Sequence, residues 1–191
     1  MGYPRKLIGN GIVLLSWLLL SAAFFVPQSA APQTTPATVS VFPRIAGDSL
    51  AGKKVTLPDD ARGKVTLVAI GFSHKSGETV RAWTDRFRKD FGDNPKYAIY
   101  PVAELEGAPR LIRGMILGGM RRGTPAAEQD HFLTLFQGDA ELKKFADFSG
   151  ADDSYLFLLD ATGVIQWRGH ALLREEEYLP LQKTAKKLAS Q

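Results

Sequence analysis

His74, Lys75, Ser76, Gly77 and Glu78 stand together at the end of an apolar run, in the stretch GFSHKSGETVRAW. A serine near a histidine is the raw material of acyl transfer. That chemistry needs the base within hydrogen-bond reach of the hydroxyl, and an oxyanion hole. His74 is two residues from Ser76, and neither Gly-x-Ser-x-Gly nor Ser-x-x-Lys occurs. Ser76 is therefore expected to cap the helix that follows. Lys75 and Glu78 can form a surface pair, worth about 0–1 kcal/mol. No residue is assigned a catalytic role.

The other chemical groups are read the same way. His74, His131 and His170 are the three histidines. A His74/His170 metal pair would lack both thiolate partners and a His-x-x-x-His spacing, so three separate surface histidines are expected, with no metal and no cofactor. The chain has no cysteine, which excludes disulfides, thiolate ligands and thiol nucleophiles. The segment GMILGGMRRG, Gly114 to Gly123, lacks the Gly-Lys-Ser/Thr of a phosphate loop. Arg110, Arg113, Arg121 and Arg122 gather at its two ends as a basic patch. That patch can meet anionic headgroups or an acidic partner segment, and a solvated face is the plainer reading.

Positioning these residues takes strands and helices. VTLVAIGF, within Lys64 to Phe72, is almost continuously apolar and rich in β-branched residues, which suits a strand covered on both faces. Val80, Trp83, Phe87 and Phe91 then recur at helical spacing, and Gly92 to Asn94 before Pro95 closes that helix. YAIYPVA reads as a second strand. A helix follows from about Arg110 to Arg122 with Leu111, Met115, Leu117 and Met120 on its apolar side, weakened by Gly114, Gly118 and Gly119. HFLTLF is a short third strand. Asp139 is expected to cap a helix bearing Leu142, Phe145 and Phe148. SYLFLLDATGVIQWRGHA is a hairpin turning at Asp160 to Gly163. A last helix, Arg174 to Ala189, turns Tyr178, Leu181, Ala185 and Leu188 to one side, and Glu175 to Glu177 supply favourable charge at its start. Ahead of all this, Phe42 to Leu57 gives short extended pieces and two loops, IAGDSLAGKK and LPDDARGK. Alternating strands and helices predict a three-layer α/β sandwich: a central mixed sheet with a parallel part, closed by an antiparallel hairpin and a helix.

The N-terminus has a different composition. Arg5 and Lys6 precede an apolar run of 16 residues, Gly11 to Val26, and no acidic residue occurs before Asp48. This is long for a signal-peptide core and short for a span of about 20 residues. Residues 1–30 are expected to be a signal peptide or membrane anchor, residues 31–40 a Pro/Thr-rich linker, and residues 41–190 one domain. Either reading places the domain outside the cytoplasm, in the periplasm or anchored to the inner membrane facing it. Without Arg5 and Lys6 the 24 basic residues become 22 against 20 acidic ones, a net charge of +2. That balance argues against nucleic acid as a partner.

Two stretches carry a family resemblance: LVAIGFSHKSGETVRAWTDRF and SYLFLLDATGVIQWRGHALLREEEYLPL. The second is similar to the Tyr-apolar-Leu-Asp-x-x-Gly-x-Ile-x-Trp hairpin of thioredoxin-like and peroxiredoxin-like proteins. Among these the chain most resembles the mitochondrial ATP-synthase assembly-factor family, the "ATP ten" type. The matching residues are Phe72, Ser73, Trp83, Phe87, Tyr155, Leu158, Leu159, Asp160, Gly163, Ile165, Trp167, Gly169, Ala171, Glu175 and Leu179, with Gln166 where that pattern has Arg. The resemblance implies a thioredoxin-like fold used for protein interaction during assembly of a membrane complex, without redox turnover. Its register puts Lys75 and Glu78 where a dithiol would be, and Ser154, after Asp153, where redox relatives keep a cis-proline. A trans bond is expected there, because a cis bond before a non-proline costs about 2.5–4 kcal/mol. The implied binding groove would run along Phe72, Ser73, His74, Lys75, Ser76, Gly77, Glu78, Ser154, Tyr155, Trp167 and His170. A thioredoxin/peroxiredoxin-like (AhpC/TSA-type) relative that binds redox partners without reacting, and a sulfur-free enzyme, are the alternatives.

Overall fold

The computed structural model describes residues 40–170 and 172–191. The leader, the linker before Ser40, and Ala171 lie outside the described residues. The elements are β1 (Ile45–Ser49), β2 (Lys54–Leu57), β3 (Val65–Gly71), α1 (His74–Phe91), β4 (Tyr97–Glu104), α2 (Arg110–Gly123), β5 (Leu133–Leu135), α3 (Asp139–Phe145), β6 (Ser154–Leu159), β7 (Ile165–His170) and α4 (Glu175–Ala189).

β3 lies inside the sheet between β4 and β6, and all seven of its residues are buried. Its side chains alternate between two cores because a strand has period two. Val68 and Ile70 join Phe42, Leu57, Tyr100, Val102, Tyr155 and Phe157 on one face. Leu67 and Ala69 join Trp83, Phe87, Phe91, Leu158, Tyr178 and Leu181 on the other, beneath α1 and α4. The expected stripe Val80, Trp83, Phe87 and Phe91 is buried throughout.

The sheet order is β2-β1-β5-β4-β3-β6-β7. β3, β4 and β5 are parallel, and β6 and β7 continue antiparallel from β3. The expected mixed sheet is found, with one correction. IAGDS is a strand rather than part of a loop: β1 pairs antiparallel with both β2 and β5, so the sheet is antiparallel at both ends. Gly47 hid this, being a residue depleted in strands. It is required there because a Cβ would stand 2.5 Å from the Thr134 carbonyl oxygen.

Two helix starts also differ. Gly138, at φ 87°, is the residue before α3, and Asp139 is its first helical residue. That φ is one glycine adopts without steric cost. Phe148 falls beyond α3 and packs edge-on against Phe72 at 5.1 Å. Ser73, rather than Ser76, caps α1.

α2 departs furthest from expectation. No residue of it is buried. Leu111 and Met115 are 96% and 70% exposed, so the predicted apolar side does not meet a core. Its ends are tied by polar contacts instead. Arg113 donates from Nε to the Ala108 carbonyl (2.9 Å) and from Nη2 to the Glu106 carbonyl (3.0 Å). Arg121 donates from Nε to the Leu50 carbonyl (2.7 Å).

Candidate functional site

The junction of β3 and α1 is built by two serines. Ser73 Oγ accepts from the Ser76 backbone N–H (3.1 Å), the Ser73 N–H donates to Ser76 Oγ (2.9 Å), and the Phe72 N–H also donates to Ser76 Oγ (2.9 Å). Ser76 Oγ in turn donates to the Ser73 carbonyl (3.0 Å). This is a capping box with serine at both positions. Ser76, the third helical residue that completes the box behind the Ser73 cap, is fully buried with its hydroxyl engaged, so it is structural and not a nucleophile. A Cβ on Gly71 would stand 3.0 Å from Ser76 Oγ, so glycine there leaves room for the buried hydroxyl.

Lys75 was expected to face Glu78. It pairs instead with Asp152, Nζ to Oδ2 at 3.3 Å, while Ser73 Oγ donates to Asp152 Oδ1 at 2.9 Å. Helical geometry explains the change. Residues three apart share a face, but Lys75 lies in the first turn, beside the loop that enters β6. The Ser73 hydrogen bond and then Lys75 hold the Asp152 carboxyl below its ordinary value. Asp152 was not singled out in the sequence, because a contact across 77 residues has no local signal.

Tyr155 positions that loop. Its hydroxyl accepts from the Ser149 N–H (2.8 Å) and Gly150 N–H (3.0 Å) and donates to the Gly150 carbonyl (3.0 Å). Tyr155 is buried, and Ser154 is fully buried opposite Gly71 in the β3–β6 ladder. The one cis peptide among the described residues is Leu57–Pro58, so the bond before Ser154 is trans. His170 is exposed and stacks on Tyr155 at 6.4 Å. His131 is edge-on to Tyr100, and burial lowers its pKa. Trp167 is half-buried and packs against the core beneath α1, tilted against Trp83 at 6.1 Å.

Beside the junction lies a cavity of about 600 Å³. Its walls include Val80 of α1, Pro101, Val102 and Ala103 of β4, Leu105, and Ile116 and Met120 of α2. β5 pairs only with Val102–Glu104. Pro101 therefore sits just outside that ladder, where a missing N–H is tolerated. Arg88 closes one side by bridging Glu128 (2.8 Å) and Asp85 (2.6 Å). Glu104, in the wall, is buried, which raises its pKa. Of the expected groove, Phe72, Ser73, His74, Gly77 and Glu78 line this cavity. Lys75, Ser76, Ser154, Tyr155, Trp167 and His170 do not: Ser76 and Tyr155 build the junction and the loop beside it, and the others lie outside the cavity walls. The cavity has no local signal in the sequence, because its walls come together from α1, β4 and α2, which are far apart along the chain.

The basic patch is divided. Arg113 and Arg121 bind backbone carbonyls, as above. Arg110 and Arg122 are exposed and make no hydrogen bond or ion pair among the described residues. No group of three or more His, Asp or Glu side chains stands together in a metal-holding arrangement among the described residues.

A family model described as "ATP10 protein" matches residues 24–188. The chain belongs to the ATP10 protein family. No curated protein matches it in sequence. Solved structures resemble this ATP10-family chain in fold. The thioredoxin domain of a thiol-disulfide oxidoreductase from Bacteroides vulgatus is 23% identical, covering 78% of this chain and 98% of that one, at a TM-score of 0.54. BsSco, of the Sco family of cytochrome c oxidase assembly proteins, is 14% identical, covering 80% and 95%, at a TM-score of 0.57. The exposed lipoprotein thioredoxin Etrx1 of Streptococcus pneumoniae is 15% identical, covering 74% and 98%, at 0.52. At these identities the likeness carries the fold, which is thioredoxin-like.

Proposed function

We propose that this ATP10-family chain is a redox-inactive assembly factor acting at the outer face of a membrane. It holds an apolar segment of a membrane-complex subunit, such as one of ATP synthase, in the cavity between α1, β4 and α2. The observation that carries this is the juxtaposition at the β3–α1 junction. The loop whose register would hold a dithiol opens into an apolar cavity of about 600 Å³, while the chain has no cysteine. Disulfide exchange requires a thiolate, so what the site offers is binding. Each Leu, Ile or Phe moved from water into the cavity contributes about 1.5–3 kcal/mol. Part of that is offset by ordering the partner, which suits a transient hold. Membership of the ATP10 family and the thioredoxin-like fold support the assembly role. The basic start and apolar run of residues 5–26 support export, to the periplasm or to an anchored position facing it.

The test is assembly itself. In cells lacking the chain, native gels of solubilised membranes are expected to show less assembled ATP synthase. The wild-type chain restores it, and a chain with Ile116→Asp and Met120→Asp does not. Because no residue of α2 is buried, that variant is expected to keep its circular dichroism and serves as a folded control. Unchanged assembly without the chain would overturn the reading.

A further inference from the structure

The cavity uses only one side of α2, and the opposite side carries a separate feature. Leu111, Met115, Gly118, Gly119 and Arg122 recur at spacings of four, three, one and three, which is a single helix face. Leu111 is 96% exposed, Met115 70%, and the neighbouring Ile112 38%. Arg110 and Arg122 are exposed at the two ends of the helix without a partner among the described residues. Between Glu106 and Glu128 there is no acidic residue, against four arginines.

We propose that this outward face of α2 seats on an anionic lipid surface. An amphipathic helix with apolar residues on one face and arginines at its ends has the chemistry of an interfacial element. Charge complementarity separates lipid from a second copy of this chain. A two-fold pairing across α2 sets the same patch against itself, bringing arginine to arginine with no carboxylate on the helix to relieve them. The glycines let the helix approach headgroups closely. The chain outside the described residues adds to this: the apolar run ends at Val26, 14 residues before Ser40, a tether of at most about 50 Å. The proposal does not depend on the protein-binding reading, because Ile116 and Met120 line the cavity while Leu111 and Met115 point away from the core.

The absence of cysteine makes the test clean. Full-length chain with Leu111→Cys, carrying an environment-sensitive fluorophore, is mixed with vesicles of phosphatidylcholine alone or with phosphatidylglycerol added. A second chain carries the label at Ala161→Cys, in the hairpin turn at the opposite end of β6 from the junction. The expected result is a blue shift at position 111 with phosphatidylglycerol only, reversed by salt, and none at position 161. Arg110→Gln with Arg122→Gln weakens this partitioning roughly 30-fold, about fivefold per arginine. The proposal falls if position 111 stays aqueous on both vesicles, or shifts equally on both. It also falls if Leu111→Cys cross-links to a second copy without vesicles, or is shielded only when membrane proteins are present.

Discussion

Lys75 Nζ lies 3.3 Å from Asp152 Oδ2, joining the first turn of α1 to the loop that enters β6. Both side chains are more than half exposed, so the pair itself contributes about 0–1 kcal/mol. The buried part of the same junction is Ser76. Ser76→Ala leaves the Phe72 and Ser73 N–H groups without their acceptor and is expected to cost about 1–3 kcal/mol. Asp152→Asn is expected to cost less than about 1 kcal/mol. Urea unfolding of both variants checks the ranking, and equal losses would contradict it.

Acid stability should depend on the hairpin turn. Burial pushes the Asp160 carboxyl up, but hydrogen bonds from Thr162, Val164 and Gln166 outweigh it and hold it below the ordinary carboxylate value. The unfolded chain takes up its proton first, at about pH 4. The stabilisation is therefore complete above that pH and is lost as pH falls through the lower folded value. Asp160→Asn is expected to flatten the acid limb of stability against pH. Glu104 has the opposite sign: burial raises its pKa, so stability is lost as pH rises from the ordinary value through the raised one. Glu104→Gln is expected to gain on wild type over that interval. Urea titrations at a series of pH values read both signs.

α2 should be the least stable helix. Phe87 is fully buried beneath the sheet, and Phe87→Ala is expected to cost about 3–5 kcal/mol. Ile116 faces an open cavity, so Ile116→Ala leaves no new void and is expected to cost less than about 1 kcal/mol. Hydrogen exchange should show α2 amides opening well before those of β3. Protection of α2 equal to that of β3 would refute this.

Gly169 has a packing role. A Cβ there would stand 2.3 Å from the Trp167 ring. Gly169→Ala is expected to displace the indole and cost about 1–3 kcal/mol, with a change in tryptophan emission. Unaltered emission and stability would contradict the geometry.

The strong periodic signals in the sequence were readable. VTLVAIG became a fully buried strand, with Phe72 half-buried just beyond it, and Val80, Trp83, Phe87 and Phe91 became one buried stripe. Asp160 and Gly163 form the expected turn, and Gln166, the departure from the family pattern, donates to Asp160 Oδ2 at 2.7 Å. β1 was obscured because Gly47 and Asp48 look like loop residues until close approach to β5 is known. Asp152 was obscured because its partners are distant in sequence. The α2 pattern misled for a physical reason: helical spacing of apolar residues predicts a face and does not say whether anything covers it. Leu111 and Met115 have such a face and it is open, while Ile116 and Met120 on the other side border the cavity.

Gly77 lines the mouth of that cavity, and a side chain there would meet nothing within 4 Å. A photo-crosslinking amino acid at Gly77 in the full chain, irradiated in intact membranes, tests the central claim most directly. The account predicts an adduct with a subunit of a membrane complex such as ATP synthase, and none from the same group at Ala161. Failure to form any adduct at Gly77, or adducts confined to soluble dithiol proteins, would contradict it.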